Sequence, residues 1–274
     1  MKKFINDRFC DNIDGSSYKH LHGRLILNTL KYLWKHVETK TENYTMFDDK
    51  KEGTCQCRYD NGQLWAQCTY ANGKHEGEYK SWFENGQLWE KCTYLNGKLE
   101  GILKWYHING QLEGQCVYVD GLRCGNYNIW YRNGKLLKQY TYLNDKVEGE
   151  YYEWDMHGRL LVQCTYMNNI RNGEYHTWDM CGKLLVQCTY VNNKLHGDHK
   201  SWYDNGRLKE RCEYANDIKD GECKQWCKNG QLCTHCTYVN GKLEGEYKTW
   251  RKNGQLVEQC FYVNGVKQTT IKLT

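Results

Sequence analysis

Proline is absent from all 274 residues, although about 5% would be average usage. Because proline removes a ladder donor from an interior strand, its absence leaves the whole chain open to nearly continuous sheet. Long apolar runs are missing as well. No stretch approaches the roughly 18 residues of a membrane helix, and the start, MKKFINDRFC, has lysines but no apolar signal-peptide core. Nor does one sign of charge dominate, since 38 Lys and Arg stand against 33 Asp and Glu for a net +5. Lys and Glu alternate without forming a block, which predicts a solvated mixed-charge face and no nucleic-acid partner. GxSxG, Walker and HExxH motifs are also absent. The ten histidines are scattered, and the tightest polar cluster, His196 to His199, falls in a turn. The expectation is a soluble, cytoplasmic, non-enzymatic protein without a cofactor.

What is present is a period. Gly53, Gly77, Gly101, Gly125, Gly149, Gly173, Gly197, Gly221 and Gly245 recur every 24 residues, and so does a second series from Gly62 to Gly254. A period between about 20 and 50 residues marks a repeat array, in which each unit buries its apolar face by stacking on its neighbours.

Residues 77–100, GEYKSWFENGQLWEKCTYLNGKLE, serve as the reference unit. Asn85-Gly86 and Asn96-Gly97 separate aromatic and apolar runs, the signature of tight hairpin turns. Each copy is therefore one hairpin plus one return turn. At the second turn position, Gly73, Gly97, Gly121, Asp145, Asn169, Asn193, Asp217, Gly241 and Gly265 all tolerate positive φ. A two-residue turn at Asn85-Gly86 pairs Tyr79 with Cys92, Trp82 with Trp89 and Phe83 with Leu88. One face then carries the Leu column (Leu88, Leu160, Leu184 and equivalents), the Cys column and the Tyr column, and is the expected core. The other carries Trp82, Trp130, Trp154, Trp178, Trp202, Trp226 and Trp250, with Tyr106 in the remaining copy. These indoles either pack on cross-strand neighbours such as Leu137, Leu161, Leu185 and Val257 or form a contact ribbon for a partner.

Tyr70, Gly73, Gly77 and the Glu-Gly-Glu-Tyr stretch resemble MORN repeats. The likeness is to the longer variant with an Asn-Gly-Gln/Lys-Leu turn found in bacterial YwqK-type antitoxin proteins and giant-virus arrays. It covers about 44–274, departing from the ordinary pattern in its 24-residue copies and in Tyr79, where a second Gly is common. The resemblance implies an elongated antiparallel sheet of about nine stacked hairpins acting as a scaffold or binding module for a protein partner. It also allows an antitoxin-like inhibitor of a toxin or host enzyme, or peripheral attachment to an anionic membrane. A viral origin would place the chain in the host cytoplasm.

Eight of the sixteen cysteines, Cys68, Cys92, Cys116, Cys164, Cys188, Cys212, Cys236 and Cys260, form one column. Column neighbours lie two strands apart, about 9.5 Å, beyond the roughly 7 Å disulfide limit, which predicts buried free thiols. Cys55 facing Cys68 and Cys223 facing Cys236 are the pairs that could bridge. Cys223, Cys227 and Cys236 are the candidate metal ligands, with Cys233 expected to point away. That is one ligand short of the four a zinc site needs.

Residues 1–43 lie outside the period. Ile26, Leu30, Leu33, Trp34 and Val37 recur at helical spacing, predicting a short helix over about 24–37 that caps the open sheet edge or recruits a partner.

Overall fold

The computed structural model describes residues 34–38 and 41–272. They form strands joined by turns and short irregular links, with no helix among them. The chain divides into two compact units, 1–98 and 99–274, a division that falls inside the array, whereas the 43/44 boundary expected from the sequence falls within the strand Glu42–Phe47.

In the first unit, Trp34–Glu38 pairs antiparallel with Glu42–Phe47, with Trp34 opposite Phe47 and Val37 opposite Tyr44. Trp34 and Val37 therefore belong to a strand, not to the predicted helix, because the ladder offered by Glu42–Phe47 satisfies their backbone. The rest of that helix, 24–33, lies outside the described residues. The meander continues through Lys50–Arg58, Leu64–Ala71, Lys74–His75, Gly77–Trp82 and Leu88–Leu95. The second unit repeats the pattern by itself. Leu122–Trp130 pairs with Leu112–Val119 and Leu136–Leu143, Lys146–Trp154 with Leu160–Met167, and Ile170–Trp178 with Leu184–Val191. Its last strand, Val266–Lys272, pairs with Leu256–Val263.

The return turns are two-residue turns with both residues left-handed. Met167 pairs with Ile170 across Asn168 (φ 53°) and Asn169 (φ 69°), the geometry that matches the twist of the flanking strands. Each turn also stacks on its predecessor: the Asn169 amide donates to the Val147 carbonyl at 3.0 Å, and the Asn193 amide to the Arg171 carbonyl at 2.8 Å. A carboxylate completes the link, as Glu148 Oε2 accepts from the Asn168 amide at 2.8 Å and Glu52 Oε2 from the Asn72 amide at 2.7 Å. Asn and Asp replace Gly at the second position with a further bond, since Asn169 Oδ1 accepts from the Val147 amide at 2.6 Å and Asp217 Oδ1 from the Leu195 amide at 2.7 Å.

The other turn differs from the expectation. Glu84, Asn85 and Gly86 form a three-residue loop closed by Phe83 N–H donating to Gln87 O and Gly86 N–H donating to Phe83 O, each 2.8 Å. Gly86 is left-handed (φ 81°), and Asn85 Oδ1 accepts from the Gln87 amide at 3.1 Å. This is a type I turn with a bulge at glycine. Tyr79 still faces Cys92, but the register then shifts and Trp82 faces Leu88 instead of Trp89. Columns 83 and 89 meet as a result: the rings of Phe83 and Trp89 lie 5.9 Å apart and those of Tyr59 and Trp65 6.5 Å.

Burial follows the Cys column. All eight column cysteines are at most 5% exposed, and beside Cys164, which faces Tyr151, the rings of Tyr151 and Tyr166 lie 5.7 Å apart and edge to face. Asn128, Ser81 and Asp155 are buried too. The Leu column is only half-buried throughout, so the sulfur column, not the leucines, is the true core line. A single sheet layer leaves the leucines without a second layer to bury them.

Candidate interaction surface

The Trp residues lie on the face away from the sulfurs, as their stacking on residues two positions earlier demonstrates: Trp154 on Tyr152 at 5.6 Å and Trp178 on His176 at 5.8 Å. All seven indoles are half-buried. Their Cα partners are Leu88, Leu136, Leu160, Leu184, Leu208, Leu232 and Leu256, one residue before the packing neighbours expected from a two-residue turn. Their strand ends are fastened to the preceding copy, for the Trp154 carbonyl accepts from Tyr131 Oη at 3.0 Å, Trp82 from Tyr59 Oη and Trp226 from Tyr203 Oη, both at 2.8 Å.

A second apolar line runs beside the return turns. In the second unit Val119, Leu143, Met167, Val191, Val239 and Val263 each precede a turn, and Leu122, Ile170, Ile218 and Val266 follow one. These ten side chains are between 39% and 62% exposed. Between them stand Lys146, Lys194 and Lys242, the partners of Leu143, Val191 and Val239. Leu95 continues the column in the first unit at 52%. An apolar residue before every return turn was visible in the sequence, but only the absence of anything packed over it makes it a surface.

The cysteines depart from expectation in two places. Cys212 is disulfide-linked to Cys223, with Cα atoms 4.1 Å apart, so it is not a free column thiol. Cys223 faces Cys212 on one side and Cys236 on the other, which places it one strand from each. Cys227 is linked to Cys233 (Cα atoms 5.7 Å apart). The three-residue loop brings those two columns together, and Cys227 is thereby removed from the proposed metal trio. The donor atoms that converge are those of Glu210, Cys212 and Cys223, all within 4.8 Å of one another. Cys236 packs beside them, and Lys219 Nζ lies 3.1 Å from Glu210 Oε1 and 3.7 Å from Cys223 Sγ.

In the first unit Cys55 faces Cys68 as expected, and both are free and buried together with Cys57. Hydrogen bonds from Cys57 and then Cys68 pull the Cys55 thiol far below its ordinary range, while giving those bonds raises both partners. The isolated column thiols move up through burial, Cys92 to about 12 and Cys116, Cys164 and Cys188 to about 11. Within the turn cluster His196 to His199, the side chains separate. Asp198 pairs with Lys200 at 3.1 Å and Arg211 at 2.8 Å, whereas His199 faces Cys212 across the ladder and burial lowers its pKa. They do not assemble an acid–base pair.

Six segments, 51–72, 76–96, 99–120, 123–144, 195–216 and 243–264, match the family described as MORN repeat variant. These six copies are similar to MORN-variant repeats. No curated protein shows significant similarity to the chain. Among solved structures, that of TcdB2-TccC3 without its hypervariable C-terminal region is similar at 12% identity, over 84% of this chain and 14% of that one, with a TM-score of 0.19. The chain thus spans a small part of that assembly's length, and the score is too low to bear on fold or function.

Proposed function

We propose that the chain is a non-enzymatic scaffold that holds a protein partner along the apolar line beside its return turns. The observation that carries this reading is the series of exposed Val, Leu, Ile and Met side chains flanking the return turns from Val119 to Val266, with a lysine beside every second turn, since exposed apolar side chains gathered along one surface mark an interaction site. The line is presented on backbone that is hydrogen-bonded from turn to turn, so little ordering entropy is lost on binding. The half-buried Trp column serves chiefly as packing along its own face, as in the stacking of Trp154 on Tyr152 and Trp178 on His176. A capture experiment with tagged protein tests this. Exchanging Met167, Val191 and Val239 for Asp abolishes partner recovery at unchanged circular dichroism, and exchanging Trp154, Trp178 and Trp202 for Ser does not. The opposite pattern moves the binding surface to the indoles. A captured enzyme that loses activity on binding identifies the antitoxin-like variant of the same reading.

The interleaved Lys146, Lys194 and Lys242 favour one further reading, peripheral attachment to an anionic membrane, because cations beside apolar side chains suit that interface. No helix among the described residues is long and apolar enough to cross a membrane. Salt-sensitive pelleting with phosphatidylserine vesicles, lost on exchanging those lysines for Glu, supports attachment, and its absence rejects it.

A further inference from the structure

We propose that Cys212, Cys223 and Cys236 form a thiol–disulfide exchange site in which Cys223 changes its bonding partner between the two strands that flank it. The three lie on successive strands in one row of the ladder: Cys223 of Ile218–Trp226 faces Cys212 on one side and Cys236 on the other. Among the described pairings it is the one cysteine with a cysteine opposite on both sides. Directly opposite residues of an antiparallel pair lie about 4.5 to 5.5 Å apart at Cα, inside the range a disulfide spans. Cys212 and Cys236 stand two strands apart, about 9.5 Å, outside it. Cys223 can therefore bond to either neighbour, but the outer two cannot bond to each other. The bond present is Cys212–Cys223, and Cys236 is the free thiol packed against it.

Exchange is the attack of a thiolate on a disulfide sulfur, with the leaving sulfur opposite the incoming one, and a row of three sulfurs with Cys223 in the middle has that order. The Cys236 thiolate attacks Cys223 Sγ. The Cys223–Cys236 bond forms as the Cys212–Cys223 bond breaks, and Cys212 leaves as the thiolate and takes up the proton that Cys236 gave up. One disulfide and one thiol remain, so the step draws on no outside oxidant or reductant. The surroundings supply the charge it needs. Lys219 Nζ lies 3.7 Å from Cys223 Sγ and 3.1 Å from Glu210 Oε1. Burial raises the Cys236 thiol, and a hydrogen bond with Tyr238 and the Lys219 ammonium oppose that rise. The same ammonium favours the negative charge shared among the sulfurs during transfer. A carboxylate oxygen of Glu210 lies within 4.8 Å of both bonded sulfurs, placed to hand the proton to Cys212.

Seven periods earlier, Cys55 and Cys68 occupy the places of Cys223 and Cys236 (223 − 55 = 168 and 236 − 68 = 168). As free thiols they come within hydrogen-bonding reach of each other, so sulfurs at this register meet. The place of Cys212 is there taken by Tyr44 (212 − 168 = 44), and no bond can migrate. In the second unit, migration moves the cross-link from the strands joined by the return turn 216–217 to those joined by the loop 228–230. It thereby releases the turn beside Ile218 of the exposed apolar line.

The test is disulfide mapping of the full-length protein, shifted from mildly acidic to mildly alkaline pH without added thiol or oxidant. Samples taken over time are trapped with N-ethylmaleimide in denaturant, digested without reductant and read by mass spectrometry. The expected result is both linked peptides, Cys212–Cys223 with Cys236 alkylated and Cys223–Cys236 with Cys212 alkylated, in a ratio independent of protein concentration. Cys236→Ser leaves only the first link. Cys212→Ser, reduced with a phosphine and reoxidised with oxidised glutathione, closes only the second. Lys219→Met slows the approach to equilibrium by roughly tenfold, the effect of about one pKa unit on the thiolate population, and Lys219→Arg restores it. Circular dichroism shows every variant folded. Absence of the Cys223–Cys236 peptide from the parent, failure of Cys212→Ser to close it, a Cys212–Cys236 link, or a rate unmoved by Lys219→Met overturns the proposal. Should Cys236→Ser fail to fold, Cys236→Ala decides in its place.

Discussion

Asn169 isolates the return turn, because its two contributions can be removed separately. It holds φ at 69°, and its Oδ1 accepts the Val147 amide of the preceding return turn. Replacing it with Ala loses that bond, worth about 1 kcal/mol net, and places an ordinary side chain in the left-handed region at a cost of about 1 kcal/mol. The sum is a destabilisation of about 2 kcal/mol. Gly loses the same bond but adopts the conformation freely, so Asn169→Gly falls about 1 kcal/mol below the parent, roughly half the loss of Ala. Asn169→Asp keeps the acceptor and lies close to the parent. Urea unfolding followed by circular dichroism, compared at constant slope, gives the order parent, Asp and Gly above Ala. Hydrogen exchange at the Val147 amide reports the local part, accelerating in both Ala and Gly. If Ala and Gly prove equally stable, positive φ is not what selects Asn, Asp and Gly at this column, and the turn assignment fails.

Peptide mapping after alkylation without reductant should recover Cys212–Cys223 and Cys227–Cys233 as linked pairs and Cys92, Cys116, Cys164, Cys188 and Cys260 as alkylated thiols. A Cys92–Cys116 link would contradict the strand order. Deleting 149–172 removes one whole period and should leave a folded, shorter second unit, since array stability is roughly a sum over units and neighbours. Deleting 149–160 leaves the next strand running the wrong way and should unfold it, and equal melting temperatures would refute the hairpin repeat. Above pH 9 the protein should lose stability. The unfolded thiols ionise near 9.0 while burial holds those of Cys116, Cys164 and Cys188 near 11, so the unfolded state releases protons first. Melting temperature is then flat with respect to these groups below pH 9 and falls through pH 11, less steeply in Cys164→Ala. An unchanged slope in that variant would remove the thiol from the explanation.

How much was legible depended on how local the controlling physics is. The absence of proline, the 24-residue glycine period and the Asn, Asp or Gly at each return turn act through the backbone of the residues themselves. The strands, the antiparallel meander and the left-handed turns followed from sequence alone. So did the separation of sulfurs and tryptophans to opposite faces, which needs only strand alternation. The loop at Asn85-Gly86 was misjudged because two- and three-residue turns share the same dipeptide, and the extra residue is decided by where Phe83 and Gln87 close their hydrogen bonds. From that one residue came the errors at Trp82, Cys227 and Cys233. Trp34 and Val37 have helical spacing, yet a neighbouring strand with unpaired backbone outweighed it. Burial was likewise a tertiary matter: one sheet layer covers its sulfur column with tyrosine rings, leaves its leucines half in water, and leaves the apolar line from Val119 to Val266 uncovered. Period and alternation fix which residues share a face, whereas packing across that face decides which of them remain open to a partner.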